Sequence, residues 1–205
     1  MISGKEGLSD EKITASLFIS GHVSNYPNLL VNDLKTFCIL RNPVDRYISH
    51  FLYFSDKFDG ISLDEAGLEK WMYSDAHGEK HCNIQAKSLT GTVDSSMWNI
   101  SDSDTKVRNN WFYTDYNLSE NAIKDSIDKK ICSSLEKRDI ILNQIKDIFC
   151  KNYGVMPFHN DHKVNINGKP RFDISKNIRS AIESMNEADM VAYEYVKSKE
   201  NKVSV

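Results

Sequence analysis

The order of apolar and polar positions changes character along the chain. Residues 15–20 (A-S-L-F-I-S) and 36–40 (T-F-C-I-L) are short, nearly continuous apolar runs, closed by Gly21 and by Arg41-Asn42-Pro43. Runs of this length between turn formers predict strands of a parallel sheet covered on both faces. From Val44 the period becomes helical, with Val44, Tyr47, Ile48, Phe51 and Leu52 forming one broad stripe. Asn42 is placed to cap this helix, and Pro43 suits its first position, where a missing N–H costs nothing.

Further along, Ser62-Leu63-Asp64-Glu65 reads as a capping box and predicts a helix from Ser62, with Leu63, Leu68 and Trp71 inward. A helix from His81 or Cys82 should stop at Gly91, a suitable C′ glycine. Residues 92–118 are rich in Ser, Asp, Asn and Thr and carry Trp98, Trp111, Phe112, Tyr113 and Tyr116. They read as a long surface excursion anchored by aromatics. Helix is predicted again over 119–129 and a short strand over 131–133. The next helix covers 136–152, with Ile140, Ile141, Ile145, Ile148 and Phe149 on one face and Gly154 at its end. Residues 155–174 read as loop, and Ser175 as the cap of a closing pair, 176–185 and 187–198. The sum is an α/β chain, a short parallel sheet flanked by helices with a helix-rich C-terminal half. Residues 1–14 read as a flexible segment, 15–198 as one domain and 199–205 as a tail.

Composition narrows the function classes. The chain has 205 residues, 40% hydrophobic and 10% aromatic, which is enough for a core and excludes a mainly disordered chain. Lys and Arg number 26 against 29 Asp and Glu, so no basic excess exists to coat nucleic acid. Any bound anion must be gripped by a few placed residues. No run of about 18 apolar residues occurs, so no ordinary membrane helix is expected. The polar start lacks a signal-peptide core, and the chain as written reads as cytoplasmic. Cysteines at 38, 82, 132 and 150, without a C-x-x-C pair or compact His/Cys cluster, fit reduced thiols better than a disulfide framework or a zinc site.

The candidate chemistry concentrates in residues 37–54, F-C-I-L-R-N-P-V-D-R-Y-I-S-H-F-L-Y-F. Arg41 falls at the carboxyl end of a buried strand, the edge where open α/β sheets place ligands. The following helix N-terminus is expected to offer free backbone N–H groups and a positive dipole end. Asp45 and Ser49 lie one turn apart opposite the apolar stripe. A guanidinium at the strand end and a hydroxyl on the next helix make a phosphate grip. On spacing alone the alternative stays open that Arg41 pairs with a carboxylate and Ser49 is an exposed helix serine.

The segment I-L-R-N-P-V-D-R-Y-I-S-H-F resembles the 3′-phosphate-binding segment of sulfotransferases that use 3′-phosphoadenylyl sulfate (PAPS). It is closest to the Golgi-type carbohydrate enzymes, whose consensus is L-R-D/N-P-x-x-R-x-x-S. The resemblance implies a P-loop-NTPase-like sulfotransferase fold, with Arg41 and Ser49 holding the nucleotide's 3′-phosphate. Arg46 resembles the family's second arginine and is expected to be structural, paired with a neighbouring carboxylate. Ile19-Ser20-Gly21-His22-Val23-Ser24 resembles the strand end and G-H-V-S/A stretch of uronyl 2-O-sulfotransferases. That makes His22 the expected general base, since neutral imidazole can take a hydroxyl proton near neutral pH. Without the resemblance, a histidine at a strand end is more often structural.

Weaker likenesses follow. Residues 81–91 resemble the family's N-x-Q-x-x-x-L-x-G helix. Residues 131–149 resemble its "vGltE" strand and helix, with Glu136 at the acidic position and Ser133-Ser134 where a glycine is usual. Lys169 and Arg171 lie where the family has a basic loop over the nucleotide; otherwise two loop cations are solvated surface. Asn186-x-x-Asp189-x-x-x-Tyr193 resembles the closing helix of the fold.

The family opens with a K-x-G-x-[ST]-[ST] loop that cradles the 5′-phosphosulfate. Gly4-Lys5-Glu6-Gly7 has glycines and a lysine, but is read as lacking both a preceding strand and a Ser/Thr at the needed place. The chain is therefore expected to resemble a sulfotransferase domain without its N-terminal quarter. A Golgi membrane location is the expectation if a longer eukaryotic chain is its source. The activity implied is PAPS-dependent sulfation of a carbohydrate or glycan hydroxyl, with no metal required. The competing readings are a catalytically inactive module of the same fold, an unrelated P-loop nucleotide protein, and a pure interaction protein. The absence of G-x-x-x-x-G-K-[ST] argues against the P-loop protein.

Overall fold

The computed structural model describes residues 2–3, 19–20, 35–54, 60–74, 81–93, 113–114, 116–154 and 172–203. The apolar run ending at Leu40 forms strand β3 (Phe37–Leu40), and Pro43–Phe54 forms helix α1 directly after it. Strands β1 (Ile2–Ser3) and β2 (Ile19–Ser20) pair in parallel. Beyond α1 come α2 (Glu65–Met72), α3 (Ile84–Thr90) and α4 (Glu120–Asp128). Between α3 and α4, β4 (Thr92–Val93) pairs antiparallel with β5 (Tyr113–Thr114), so the two ends of the aromatic-rich excursion are stapled together. Strand β6 (Ile131–Ser134), a 3₁₀ turn (Leu135–Lys137), and helices α5 (Arg138–Tyr153), α6 (Lys176–Met185) and α7 (Glu187–Val203) complete the order.

Strand β3 pairs in parallel with β6, with Phe37 opposite Ile131, Cys38 opposite Cys132, and Leu40 opposite Ser134. Because side chains alternate across a strand, this register divides the sheet into two apolar faces. Cys38, Leu40 and Cys132 pack with α3, α4 and α7, around Ala86, Leu89, Ile123, Ile127, Ala192 and Val196. Phe37 and Ile131 pack against Ile141, Ile145 and Phe149 of α5. Helices therefore lie on both faces of the sheet, but the cover on the α5 side is partial, since Ile39 is 42% exposed. A third cluster joins α1, α2 and α6 through Tyr47, Phe51, Leu68, Trp71 and Ile182. The architecture is α/β and mostly helical. Among the described residues no helix is long and apolar enough to cross a membrane.

Capping residues act where local chemistry put them. Asn42, Ser119 and Ser175 each accept from backbone N–H groups of the helix they start. Gly154 closes α5 at φ 64°, a left-handed position that favours glycine. Three expectations are corrected. Helix α2 starts at Glu65 with Asp64 as its cap, because Ser62 Oγ donates to Asp64 Oδ1 (2.6 Å) and the carboxylate accepts from Gly67 N (2.9 Å). Leu63 then precedes the helix and is 37% exposed. Ile140 is 48% exposed, since the buried line of α5 runs Ile141, Ile145, Phe149 and leaves Ile140 to one side. Gly91 ends α3 at φ −104°, so its stop does not rest on a left-handed turn.

Gly67 is needed for space. A Cβ there would stand 1.8 Å from the Ser62 carbonyl oxygen. Gly→Ala inside a helix ordinarily gains about 1 kcal/mol. Here the backbone clash outweighs that gain, and Gly67→Ala should lower stability by about 1–3 kcal/mol. A urea melt tests it; a midpoint equal to or above that of the parent chain would refute the steric argument.

Candidate functional site

The candidate site lies at the carboxyl ends of β3 and β6, where Arg41 leaves the sheet and α1 begins. Arg41 and Ser49 are both half-buried, Arg41 at the strand end and Ser49 in the second turn of α1, with exposed Asp45 one turn before it. His22, Lys169 and Arg171 lie outside the described residues. Within them, Arg41 is the first of the two residues joining β3 to α1, and Ser49 lies on α1.

The backbone at Arg41 is held by a side chain far away in sequence. Arg41 N donates to Gln85 Oε1 (2.8 Å), and Gln85 Nε2 donates to the Arg41 carbonyl (2.9 Å). The carboxamide thus takes the place of a neighbouring strand's peptide group, continuing the sheet's bonding one residue past β3. Sequence reasoning noticed Gln85 only as part of a family pattern and gave it no role. No local pattern marks it, since Gln85 is one of four polar residues in α3.

Arg46 is the anchor of the whole corner. Its Nη2 donates to the His81 carbonyl (2.9 Å) and to Asn186 Oδ1 (2.7 Å), while Nε lies 3.3 Å from Asp189 Oδ2. Arg46 Nη1 lies 3.5 Å from His50 Nδ1. Both ionic partners are buried, so the expected pairing of this arginine with a carboxylate is observed. Asp189 Oδ1 also accepts from Ala86 N (2.7 Å). Burial pushes the Asp189 carboxyl above the usual carboxylate range, against the pull of the Arg46 guanidinium and the Ala86 N–H.

Asn83 completes the lock. Its N–H donates to Asn186 Oδ1 (3.0 Å), its Nδ2 to the Met185 carbonyl (3.2 Å), and its Oδ1 accepts from Asp189 N (3.2 Å). Among the described residues it is the one non-glycine with positive φ, at 54°. Asparagine tolerates that region better than most residues, and three hydrogen bonds offset the strain. On β6's side, Tyr193 Oη donates to Glu136 Oε1 (2.9 Å), and burial, with Glu136 beside it, pushes the Tyr193 phenol up to about 12. The scattered likenesses at 83–91, 136 and 186–193 therefore converge on one corner.

One expectation about this corner is overturned. The N-terminus of α1 does not offer free N–H groups. Asn42 Oδ1 accepts from Val44 N (3.0 Å) and Asp45 N (3.3 Å), Arg46 N donates to the Asn42 carbonyl (2.9 Å), and Pro43 has no N–H. Asp45 already places a carboxylate in the first turn, where the dipole favours it by about 0.3–1 kcal/mol. The cap that starts the helix consumes the groups an anion would use. A bound anion would depend on side chains, Arg41 first.

A second correction concerns Gly4-Lys5-Glu6-Gly7. A strand does precede it, since Ile2–Ser3 is β1, parallel to β2. Ser9 also stands at the first of the two Ser/Thr positions of K-x-G-x-[ST]-[ST], while Asp10 stands at the second. The strand ground therefore falls and the Ser/Thr ground falls in part; residues 4–18 lie outside the described residues.

Compared with family models, curated proteins and solved structures, the chain matches none of them.

Proposed function

We propose that this chain is a sulfotransferase that moves a sulfuryl group from PAPS to a hydroxyl of a carbohydrate, on a P-loop-like sulfotransferase fold. The observation that carries the reading is the Arg41 corner. A strand-end arginine is clamped through its backbone by Gln85, and the helix bearing Ser49 is pinned through Arg46 to Asn186 and Asp189. Clamping the backbone leaves the guanidinium's direction set by a rigid base, which is what a bidentate phosphate contact rewards.

On this reading Arg41 and Ser49 hold the 3′-phosphate, and Lys169 and Arg171 are candidates for the loop over the nucleotide. His22 takes the acceptor hydroxyl's proton as that oxygen bonds to sulfur. The segment Lys5-Glu6-Gly7-Leu8-Ser9, following β1 in sequence, is the candidate for the 5′ end, with Lys5 as the cation that would offset the charge left when the sulfur–oxygen bond breaks. The fifteen residues between β1 and β2 suffice for a parallel crossover, which takes a dozen or more.

The test is calorimetric titration with adenosine 3′,5′-bisphosphate. Arg41→Ala should weaken binding by about 10–100-fold, the loss of charge-assisted hydrogen bonds worth roughly 1.5–3 kcal/mol. Gln85→Leu should weaken it less, acting through position. Absence of binding by the parent chain, or equal binding by Arg41→Ala, overturns the nucleotide assignment. His22→Ala should abolish transfer and spare binding; retained turnover would remove His22 as the base.

A further inference from the structure

We propose that Cys38 and Cys132 form a peroxide-oxidisable dithiol that closes reversibly to a disulfide across β3 and β6. The four cysteines are unbridged in the structure. Two of them, far apart in sequence, are brought opposite each other by the parallel register. Both side chains project to the same face, toward α4 and α7, and both are half-buried. Adjacent strands lie about 4.8 Å apart. That spacing falls inside the roughly 4.4–6.8 Å Cα separation that a disulfide spans, toward its short end. The bond can therefore form without moving either strand far.

The two thiols are not equivalent. Hydrogen bonding with the neighbouring Cys132 thiol holds the Cys38 thiol below the ordinary range despite its burial, and the Lys130 ammonium assists. Cys132 is pushed up by the same hydrogen bond and by burial, and its Sγ also lies 3.9 Å from the Ile127 carbonyl. Lys130 is itself fixed by the Leu89 carbonyl (3.1 Å) and Ser126 Oγ (2.5 Å). Cys38 is thus the attacking sulfur and Cys132 the resolving one. Half-burial between a sheet and two helices favours a small oxidant, hydrogen peroxide, over a bulky disulfide.

The chemistry balances in two steps. The Cys38 thiolate attacks one peroxide oxygen; an S–O bond forms, the O–O bond breaks and hydroxide leaves. The Cys38 sulfur loses two electrons to become a sulfenic acid, and the peroxide is reduced. Cys132 sulfur then attacks the Cys38 sulfur, the S–S bond forms, and hydroxide leaves with the Cys132 proton as water. A dithiol reductant reverses the couple by thiol–disulfide exchange. None of this depends on the nucleotide reading.

The experiment treats the folded full chain with stoichiometric hydrogen peroxide, blocks remaining thiols by alkylation, and maps peptides by mass. A Cys38–Cys132 crosslink that dithiothreitol removes is expected. In Cys132→Ser, a sulfenic-acid probe should mark Cys38. In Cys38→Ser, Cys132 should stay unmarked. Exposed Cys150 and buried Cys82 serve as internal references. The proposal is overturned if Cys38 and Cys132 remain alkylatable while Cys150 oxidises, if no crosslink forms in the folded chain, or if Cys132 is marked as readily as Cys38.

Discussion

Arg46→Met is expected to destabilise the protein by about 3–5 kcal/mol, the cost of leaving one partner of a buried ion pair alone. For a chain of this size that lowers the melting temperature by roughly 6–20 °C. The reason is what remains behind. Asp189 keeps its buried carboxylate and its bond from Ala86 N, but loses the guanidinium 3.3 Å away. The His81 carbonyl and Asn186 Oδ1 each lose a donor as well. Asp189→Asn in the Arg46→Met background should restore part of the loss, because the amide carries no charge to strand.

The same variant carries a pH signature whose sign follows from Asp189. Burial already raises its folded pKa, and removing Arg46 raises it further. A carboxyl raised in the folded state contributes stability that is fully present below its unfolded value, about 4. That contribution is lost as pH rises through the folded value. The stability gap between parent and Arg46→Met should therefore narrow in acid and widen toward neutral pH. Urea melts at several pH values check it. A gap independent of pH, or one that persists unchanged with Asp189→Asn added, would count against the ion pair as the cause.

The second large effect is expected at Glu200. Its Oε1 accepts from Ser134 N (2.6 Å) and lies 2.9 Å from Ser133 Oγ, while Oε2 accepts from Ser134 Oγ (3.1 Å). This ties the last turns of α7 to the carboxyl end of β6. It also explains Ser133-Ser134 standing where the resembled pattern has a glycine, since both hydroxyls face the buried carboxylate. Glu200→Leu should cost about 2–4 kcal/mol, because the buried Ser134 N–H and hydroxyl lose their acceptor at once, while the Ser133 hydroxyl keeps the Lys137 carbonyl (2.9 Å). Glu200→Gln keeps a carbonyl oxygen and should cost about 1 kcal/mol or less. Hydrogen exchange at the Ser134 amide separates the two: it should quicken strongly in Glu200→Leu and little in Glu200→Gln. Unchanged exchange in both would mean the carboxylate does not hold the strand end.

These residues differ in how visible they were. The β3–α1 unit was legible because every term in it is local: an apolar run, Asn42 as cap, Pro43 at the first position, and a stripe from Val44 to Leu52. The same holds for Ser119, Ser175 and Gly154, whose hydrogen bonds close within a few residues. The start of α2 differs because two capping candidates stand two residues apart: Asp64 accepts from Gly67 N, and the Ser62 hydroxyl donates to that carboxylate instead of capping. The backbone at α1's N-terminus was misread for a related reason. A good cap and a vacant anion site are mutually exclusive uses of the same N–H groups.

Arg46 is recognisable as structural only through a resemblance, and Glu200 carries no signal at all, falling in residues 199–205 that read as a tail but belong to α7, which runs to Val203. Gln85's clamp on Arg41 likewise joins groups with no short-range pattern between them. Local periodicity and capping were enough to specify the helices and the β3 strand, because those depend on neighbours a few positions away. The meeting of Cys38 with Cys132, of Arg46 with Asp189, and of Glu200 with Ser134 was settled by the parallel pairing of β3 with β6 and the packing of α7 across them. Such contacts join distant residues and exist only once the sheet register and helix docking bury them together.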